Sequence, residues 1–343
     1  MTSMAFHYSP LARSAVRLTN RAFHVSPCKS RMPACVRSYS SYPGPTESSS
    51  DHKSRKKVTL TTLERTYRRQ VPITVMTAHD YPSAVFVDKS GIDMCLVGDS
   101  LAMVALGYDN TNRITLDEML HHCRAVARGS KHPFLVGDLP FGSYEASPSH
   151  ALSSSIRMIR EGHMEAVKLE GGVEMAETIH KITSVGIPVL GHVGLTPQRA
   201  AALGGFRVQG KTMEKAKKLI EDALAVQEAG AFAIVLEAVP EVVAKEITNS
   251  LKVPTIGIGA GAGCSGQVLV QLDMLGVYDK LMPKFCKLYA EVGKATIAGL
   301  EQYVQEVKNG SFPESGTHTY PMEKGEEEKF LKWISEEKRD CLK

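Results

Sequence analysis

The sequence predicts a single (β/α)8 TIM barrel, and three observations carry the prediction. From residue 60 onward, short apolar runs alternate with stretches of helical periodicity, the mark of repeated βα units and a parallel sheet. The runs number eight, which closes a barrel. Polar residues gather at the carboxyl ends of these runs, where barrels of this architecture carry their active sites. A doubly wound open sheet shares the local alternation, so the placement of polar residues, rather than periodicity, favours closure.

Taken in order, the first 45 residues hold Arg13, Arg17, Arg21, Lys29, Arg31 and Arg37 and no acidic residue. This Arg- and Ser-rich, acid-free composition predicts a mitochondrial import presequence and a mature protein in the matrix. The rival reading is a disordered basic arm; the segment lacks the apolar centre of a secretory signal. Residues 46–59 read as a polar linker, and 60–70 (LTTLERTYRRQ) as a helix ahead of the first strand. Strands are predicted at 73–78, 94–99, 134–139, 166–171, 188–193, 233–238, 255–260 and, as the weakest of the eight, 267–272. Between them, 116–128 and 213–229 carry apolar residues three and four apart, as amphipathic helices do. Gly91, Gly129, Gly162, Gly186 and Gly230 follow such segments and predict left-handed helix ends. Residues 285–307 read as the closing helix of a catalytic barrel spanning 60–313. The charged tail, 314–343, holds the only tryptophan, Trp333, and its residues 321–343 predict a solvated amphipathic helix, with a partner contact as the rival reading.

The formal charge of +4 belongs to the leader: beyond it, 35 basic residues face 37 acidic ones. That balance gives no basic footprint for nucleic acid. No run nears the ~20 apolar residues of a membrane-spanning helix. The seven cysteines are scattered without a C-x-x-C pair, as suits thiols in a reducing compartment rather than a disulfide frame or zinc site.

Asp99 in LVGDS and Asp138 in LVGDLP end two apolar runs, so a barrel sets both carboxylates on its upper rim. Two carboxylates converging there repel unless a cation neutralises them, and oxygen ligands suit Mg2+; the alternative is that each caps its following loop. Lys168 and Glu170 in VKLEGG lie two apart on a strand and share a side. Facing the lumen, they must pair with each other or with ligands. Glu237 ends AIVLEAVP; a carboxylate in apolar surroundings has a raised pKa and can act as a general base, or it supports a neighbour. His192 in GHVGLTPQ can bind an anionic or carbonyl group, or stand as a satisfied core histidine. Gly261, Gly263 and Gly266 formally fit G-x-G-x-x-G, but too few strands follow to build a dinucleotide-binding half. Turn geometry, or bare backbone near a ligand, explains them better.

The motifs TAHDYPSA, LVGDSLAMVALGYDNT, GDLPFGSYE, VKLEGG, GHVGLTPQ, GGFRVQG, VLEAVP and IGIGAG occur in this order. From about Leu60 to about Pro313 the chain resembles the ketopantoate hydroxymethyltransferase family. The resemblance implies a barrel of the phosphoenolpyruvate/pyruvate type and transfer of a hydroxymethyl group from 5,10-methylenetetrahydrofolate to 3-methyl-2-oxobutanoate, through an Mg-stabilised enolate. The product, 2-dehydropantoate, leads to pantothenate and coenzyme A. Carried over by motif, the resemblance implies that Asp99 and Asp138 bind Mg2+ with Glu170 nearby through water; Ser100 and Lys168 hold the oxo acid, His192 lines its pocket, and Glu237 is the base. The resemblance also implies a homo-oligomer, often a decamer. Ser265 in CSGQ and Leu272 before Asp273 depart from the family's common residues and leave the folate contacts of that loop unassigned. The rivals are another Mg-enolate barrel that makes or breaks a C–C or C–P bond, and a non-catalytic oxo-acid or folate binder.

Overall fold

The computed structural model describes residues 55–340 apart from Asp279 and Leu281. The expected presequence and the linker up to residue 54 lie outside the described residues. Eight parallel strands form a barrel in sequence order: β1 (Ile73–Thr77), β2 (Met94–Val97), β3 (Phe134–Asp138), β4 (Ala166–Glu170), β5 (Val189–Gly194), β6 (Ala233–Glu237), β7 (Thr255–Ile258) and β8 (Gly266–Leu269). The barrel closes where β8 pairs with β1, from Ile73 beside Gly266 to Met76 beside Leu269. That pairing excludes an open sheet.

Helix α1 (Leu60–Arg68) precedes the barrel. The crossovers carry α2 (Tyr81–Lys89), α3 (Leu101–Val104), α4 (Leu116–Gly129), α5 (Pro148–Arg160), α6 (Ala176–Thr183), α7 (Ala200–Leu203), α8 (Met213–Glu228) and α9 (Glu241–Ser250). Local chemistry fixes several starts. At α4, the Thr115 hydroxyl accepts from the Glu118 amide while the Glu118 carboxylate accepts from the Thr115 amide, a capping box.

Period-two alternation sorts the strand residues into two cores. Outward residues such as Cys95, Val97, Leu135, Val167, Leu169 and Ile234 pack under the helices. Inward residues, among them Ile73, Val75, Met94, Phe134, Val136, Leu190 and Val235, fill the lower lumen, where Val58 and Leu63 of the leading segment join them. The inward sequence then turns polar. Asp138 follows Phe134 and Val136, Lys168 and Glu170 follow Ala166, His192 follows Leu190, and Glu237 follows Ala233 and Val235. The lumen is therefore apolar below and charged above, with no break in register.

Strand β8 stops at Leu269, short of the expected residue 272. The chain turns instead into α10 (Gln271–Met274), held by Gln271, whose backbone N–H donates to Thr77 Oγ1 and whose side-chain amide donates to the Ser83 carbonyl. Residues 285–291 are not helical as expected. Backbone N–H groups of Tyr289 and Val292 bond to the Met274 and Leu275 carbonyls, so this stretch is tied to α10, and α11 (Val292–Asn309) begins beyond it. None of the α11 residues is buried, so it does not cover the barrel as a closing helix would.

Gly91, Gly186 and Gly230 are left-handed as expected, but Gly129 and Gly162 are not. Space requires those two: a Cβ on either would lie 2.6 Å from a carbonyl oxygen, that of Tyr81 or of Met158. The run around Gly261, Gly263 and Gly266 leads into a strand rather than a helix, and a Cβ at Gly261 or Gly266 would strike Glu241 or the Ile73 carbonyl. Turn packing accounts for it. Helix α12 (Glu326–Asp340) lies within the expected tail helix, with Trp333 exposed. Cys95, Cys123, Cys264 and Cys286 are free thiols. Among the described residues, no helix is long and apolar enough to cross a membrane.

Candidate active site

Asp138 of β3 and Lys168 of β4 are register neighbours, and Lys168 Nζ donates to both Asp138 oxygens at 2.8 and 2.7 Å. The partner of Lys168 thus sits on the adjacent strand; the pairing with Glu170 suggested by same-side spacing does not form. Asp99 lies just beyond β2, and its backbone N–H donates to Asp138 Oδ2 at 3.2 Å. The two rim aspartates therefore converge. Ser100 opens α3 without using its hydroxyl as a cap, so that group remains available to the cavity it lines.

His192 is buried between two carboxylates, with Nδ1 3.4 Å from Glu170 Oε1 and Nε2 3.2 Å from Glu237 Oε2. All seven residues singled out in the sequence (Asp99, Ser100, Asp138, Lys168, Glu170, His192 and Glu237) line one cavity of about 160 Å³. Its apolar wall includes Leu96, Met103, Val104, Val235 and Ile258. A cavity of roughly 150 Å³ accepts a benzene-sized molecule, so this one suits a small acid.

Four further residues escaped the sequence reading. Gln198, from the quoted GHVGLTPQ run, is 2% exposed. Its Nε2 donates to Asp99 Oδ2 and to the Leu139 carbonyl, both at 3.0 Å, and its backbone N–H donates to Glu170 Oε2 at 3.1 Å. Buried Tyr144 donates its hydroxyl to Gln198 Oε1 at 2.6 Å and accepts from the Glu170 amide. This pair orients one oxygen each of Asp99 and Glu170, and leaves Glu170 Oε1 without a hydrogen-bond partner among the described residues. Ala238, directly after Glu237, is left-handed at φ 47°, a conformation that costs a non-glycine residue about 1 kcal/mol or more. Hydrogen bonds from its N–H to Ile258 and to its carbonyl from Gln209 hold the turn that presents Glu237. Asp273, also on the cavity wall, has a buried Oδ1 without a partner among the described residues. Tyr144, Gln198 and Ala238 lie inside the motifs GDLPFGSYE, GHVGLTPQ and VLEAVP, but residue type and spacing alone give none of the four a role.

Burial opposes every charge here, and neighbouring charges decide which survive. Burial pulls the Lys168 ammonium down, but Asp138, Asp99 and Glu170 hold it well above the ordinary lysine value. Burial pushes the Asp138 carboxyl up against the pull of Lys168, and Asp99 adds to the rise. Burial and Lys168 also oppose a charged His192, yet Glu170 and Glu237 raise it to about 9. His192 is therefore an imidazolium at neutral pH and donates rather than accepts protons. Burial alone lifts Asp273 to about 6.

Among the described residues, no three His, Cys, Asp or Glu side chains already form a metal-ligand cluster. The donor set nonetheless fits a hard cation. When ionised, the four carboxylates Asp99, Asp138, Glu170 and Glu237 face two cations, Lys168 and His192, so two negative charges stay uncompensated in a buried site. Every acidic donor is oxygen, and Glu170 Oε1, facing His192 Nδ1 at 3.4 Å, makes no hydrogen bond among the described residues, which suits a divalent ion that keeps some of its water.

A family model described as ketopantoate hydroxymethyltransferase matches residues 57–315. The 3-methyl-2-oxobutanoate hydroxymethyltransferase of Emericella nidulans is 58% identical over 284 residues, covering 82% of this chain and 81% of that protein. The mitochondrial 3-methyl-2-oxobutanoate hydroxymethyltransferase 1 of Oryza sativa subsp. japonica is 56% identical over 264 residues, or 75% and 72% of the two chains. Among solved structures, a phosphonopyruvate hydrolase complexed with oxalate and Mg++ is similar at a TM-score of 0.52 and 13% identity, over 82% of this chain and 97% of that one. That likeness is one of fold alone. The sequence matches, over nearly all of the barrel, place this chain in the ketopantoate hydroxymethyltransferase family, to which it belongs.

Proposed function

We propose that the protein transfers a hydroxymethyl group from 5,10-methylenetetrahydrofolate to 3-methyl-2-oxobutanoate, giving 2-dehydropantoate and tetrahydrofolate for pantothenate and coenzyme A synthesis. Family membership supports the reaction. The observation that carries the chemistry is one small cavity holding both a candidate base, Glu237, and an acidic cation site.

Asp99 and Asp138 would hold Mg2+, with Glu170 nearby through water. A divalent ion held there would supply Lewis-acid stabilisation of the enolate, so that a carboxylate could remove the C3 proton of the oxo acid. Two Lys168 donors engage Asp138, and the third is left for the substrate oxygen on which charge develops. Ser100 adds a hydroxyl contact. His192, charged between Glu170 and Glu237, positions both carboxylates. Glu237 accepts the C3 proton, and C3 then bonds to the one-carbon unit that the folate holds in place. Both C–N bonds of the methylene unit break: water supplies the hydroxyl oxygen to that carbon, and the two folate nitrogens each recover a proton, one from water and one from Glu237.

The experiment is turnover with both substrates and Mg2+, together with C3–H exchange of the oxo acid in D2O. Glu237→Gln should bind oxo acid and metal yet lose exchange; normal exchange by this variant removes Glu237 from its role. Turnover that needs no folate would favour the rival Mg-enolate lyases.

We also place the mature protein in mitochondria, since the acid-free leader fits import and the plant relatives carry that location in their names. Self-association is proposed on α11, whose Ile297, Leu300, Tyr303, Val304 and Val307 all stand exposed on one chain. Such an apolar face on a helix none of whose residues is buried suits a second copy.

A further inference from the structure

A second opening lies beside the active site. The inner cavity matches the oxo acid in size, and a reduced folate is several times larger, so most of the folate must lie outside it. A groove of about 870 Å³ borders the same rim, between the ends of β4 and β5 and the start of α8, and shares Phe206 with the inner cavity. Its walls carry five cations, Arg199, Arg207, Lys211, Lys215 and Lys218, against two acids, Glu174 and Asp222. Arg199 pairs with Glu174, and Lys218 pairs with Asp222 at 2.8 Å. Arg207, Lys211 and Lys215 form no ion pair among the described residues. Three uncommitted positive charges in one groove contrast with the slightly acidic balance of the chain beyond its leader.

We propose that this groove receives the anionic tail of the folate co-substrate, with Arg207, Lys211 and Lys215 facing its glutamyl carboxylates. The inference rests on the folate-dependent reaction proposed above and deepens it by assigning a direction: pterin and methylene group toward the inner cavity, past Phe206, and the carboxylates outward along the groove. Gly171, Gly194 and Gly210 on the groove wall are all in left-handed conformations that a side chain resists. The three cations are exposed, so their effect is electrostatic and weakens with salt. Each added glutamate brings another carboxylate within their reach, so affinity rises with tail length.

The test compares methylenetetrahydrofolate bearing one glutamate with the form bearing five, in wild type and in the triple variant Arg207→Ala, Lys211→Ala, Lys215→Ala. Wild type should show a KM about tenfold lower for the long tail, equal to about 1.4 kcal/mol. The variant should lose most of that ratio, and 0.5 M KCl should erase it in wild type. Folate-free C3–H exchange of the oxo acid reports whether the inner cavity is intact in the variant. A wild type with no length preference, or a variant that keeps it, overturns the tail assignment while leaving the reaction standing. A wild type that turns over with neither folate sinks the reaction itself.

Discussion

Replacing Lys168 by methionine removes an ammonium that donates to both oxygens of an almost fully buried carboxylate. Methionine keeps the approximate length and volume, so the main loss is charge pairing rather than a cavity. Leaving one partner of a buried pair uncompensated costs about 3–5 kcal/mol. For a domain of this size, 1 kcal/mol corresponds to roughly 2–4 °C, so Tm of the metal-free protein should fall by roughly 6–20 °C at pH 8. The sign of the pH dependence follows from Asp138, which burial already pushes up and which rises further once Lys168 is gone. A carboxyl with a raised folded pKa is tolerated when protonated and penalised as pH climbs through that pKa. The destabilisation should therefore shrink between pH 8 and pH 5.5. A second change, Asp138→Leu, should recover much of the loss, because the orphaned charge is then absent. Calorimetry in EDTA measures all three quantities. A Lys168→Met protein within 1 kcal/mol of wild type at pH 8, or a loss that ignores pH, would refute the ion-pair argument.

Gln198→Leu should weaken divalent-cation binding about 10–100-fold, read by Mn2+ titration, since Asp99 and Glu170 lose the amide groups that orient them or keep only the backbone one. Unchanged Mn2+ affinity would reduce Gln198 to a packing residue. Gly266→Ala drives a Cβ to 2.3 Å from the Ile73 carbonyl at the β8–β1 seam, so it should cost about 1–3 kcal/mol in urea unfolding. Asp273→Asn should gain stability over wild type as pH rises from 4 to 7. The wild-type carboxyl, raised to about 6, favours the fold only while protonated, and a difference flat across that range counts against its burial.

The barrel was legible because its two periodicities are local. Eight apolar runs and the helical stretches between them predict a closed parallel sheet, and the polar residues ending those runs mark its working rim. Where the sequence reading failed, competing contacts decided the outcome. Gln271 bonds across to Thr77 and Ser83 and ends β8, while ties from Tyr289 and Val292 to α10 delay α11. Gly129 and Gly162 follow the expected spacing, but neighbouring carbonyls, and not left-handed backbone, exclude a side chain there.

By itself the sequence determined the fold class, the family and which seven side chains gather in one cavity, because type and strand-end position are properties of the chain. Partnership was decided only in three dimensions. Lys168 and Glu170 share a strand face, yet strand register gives Lys168 to Asp138 and gives Glu170 to His192 and Gln198. Charge states follow from those partners: His192 is held protonated because two carboxylates converge on it from separate strands, and Gln198 reaches Asp99 from 99 residues away. Contacts between distant segments leave no periodic trace in a sequence, since closure of the barrel alone brings them together.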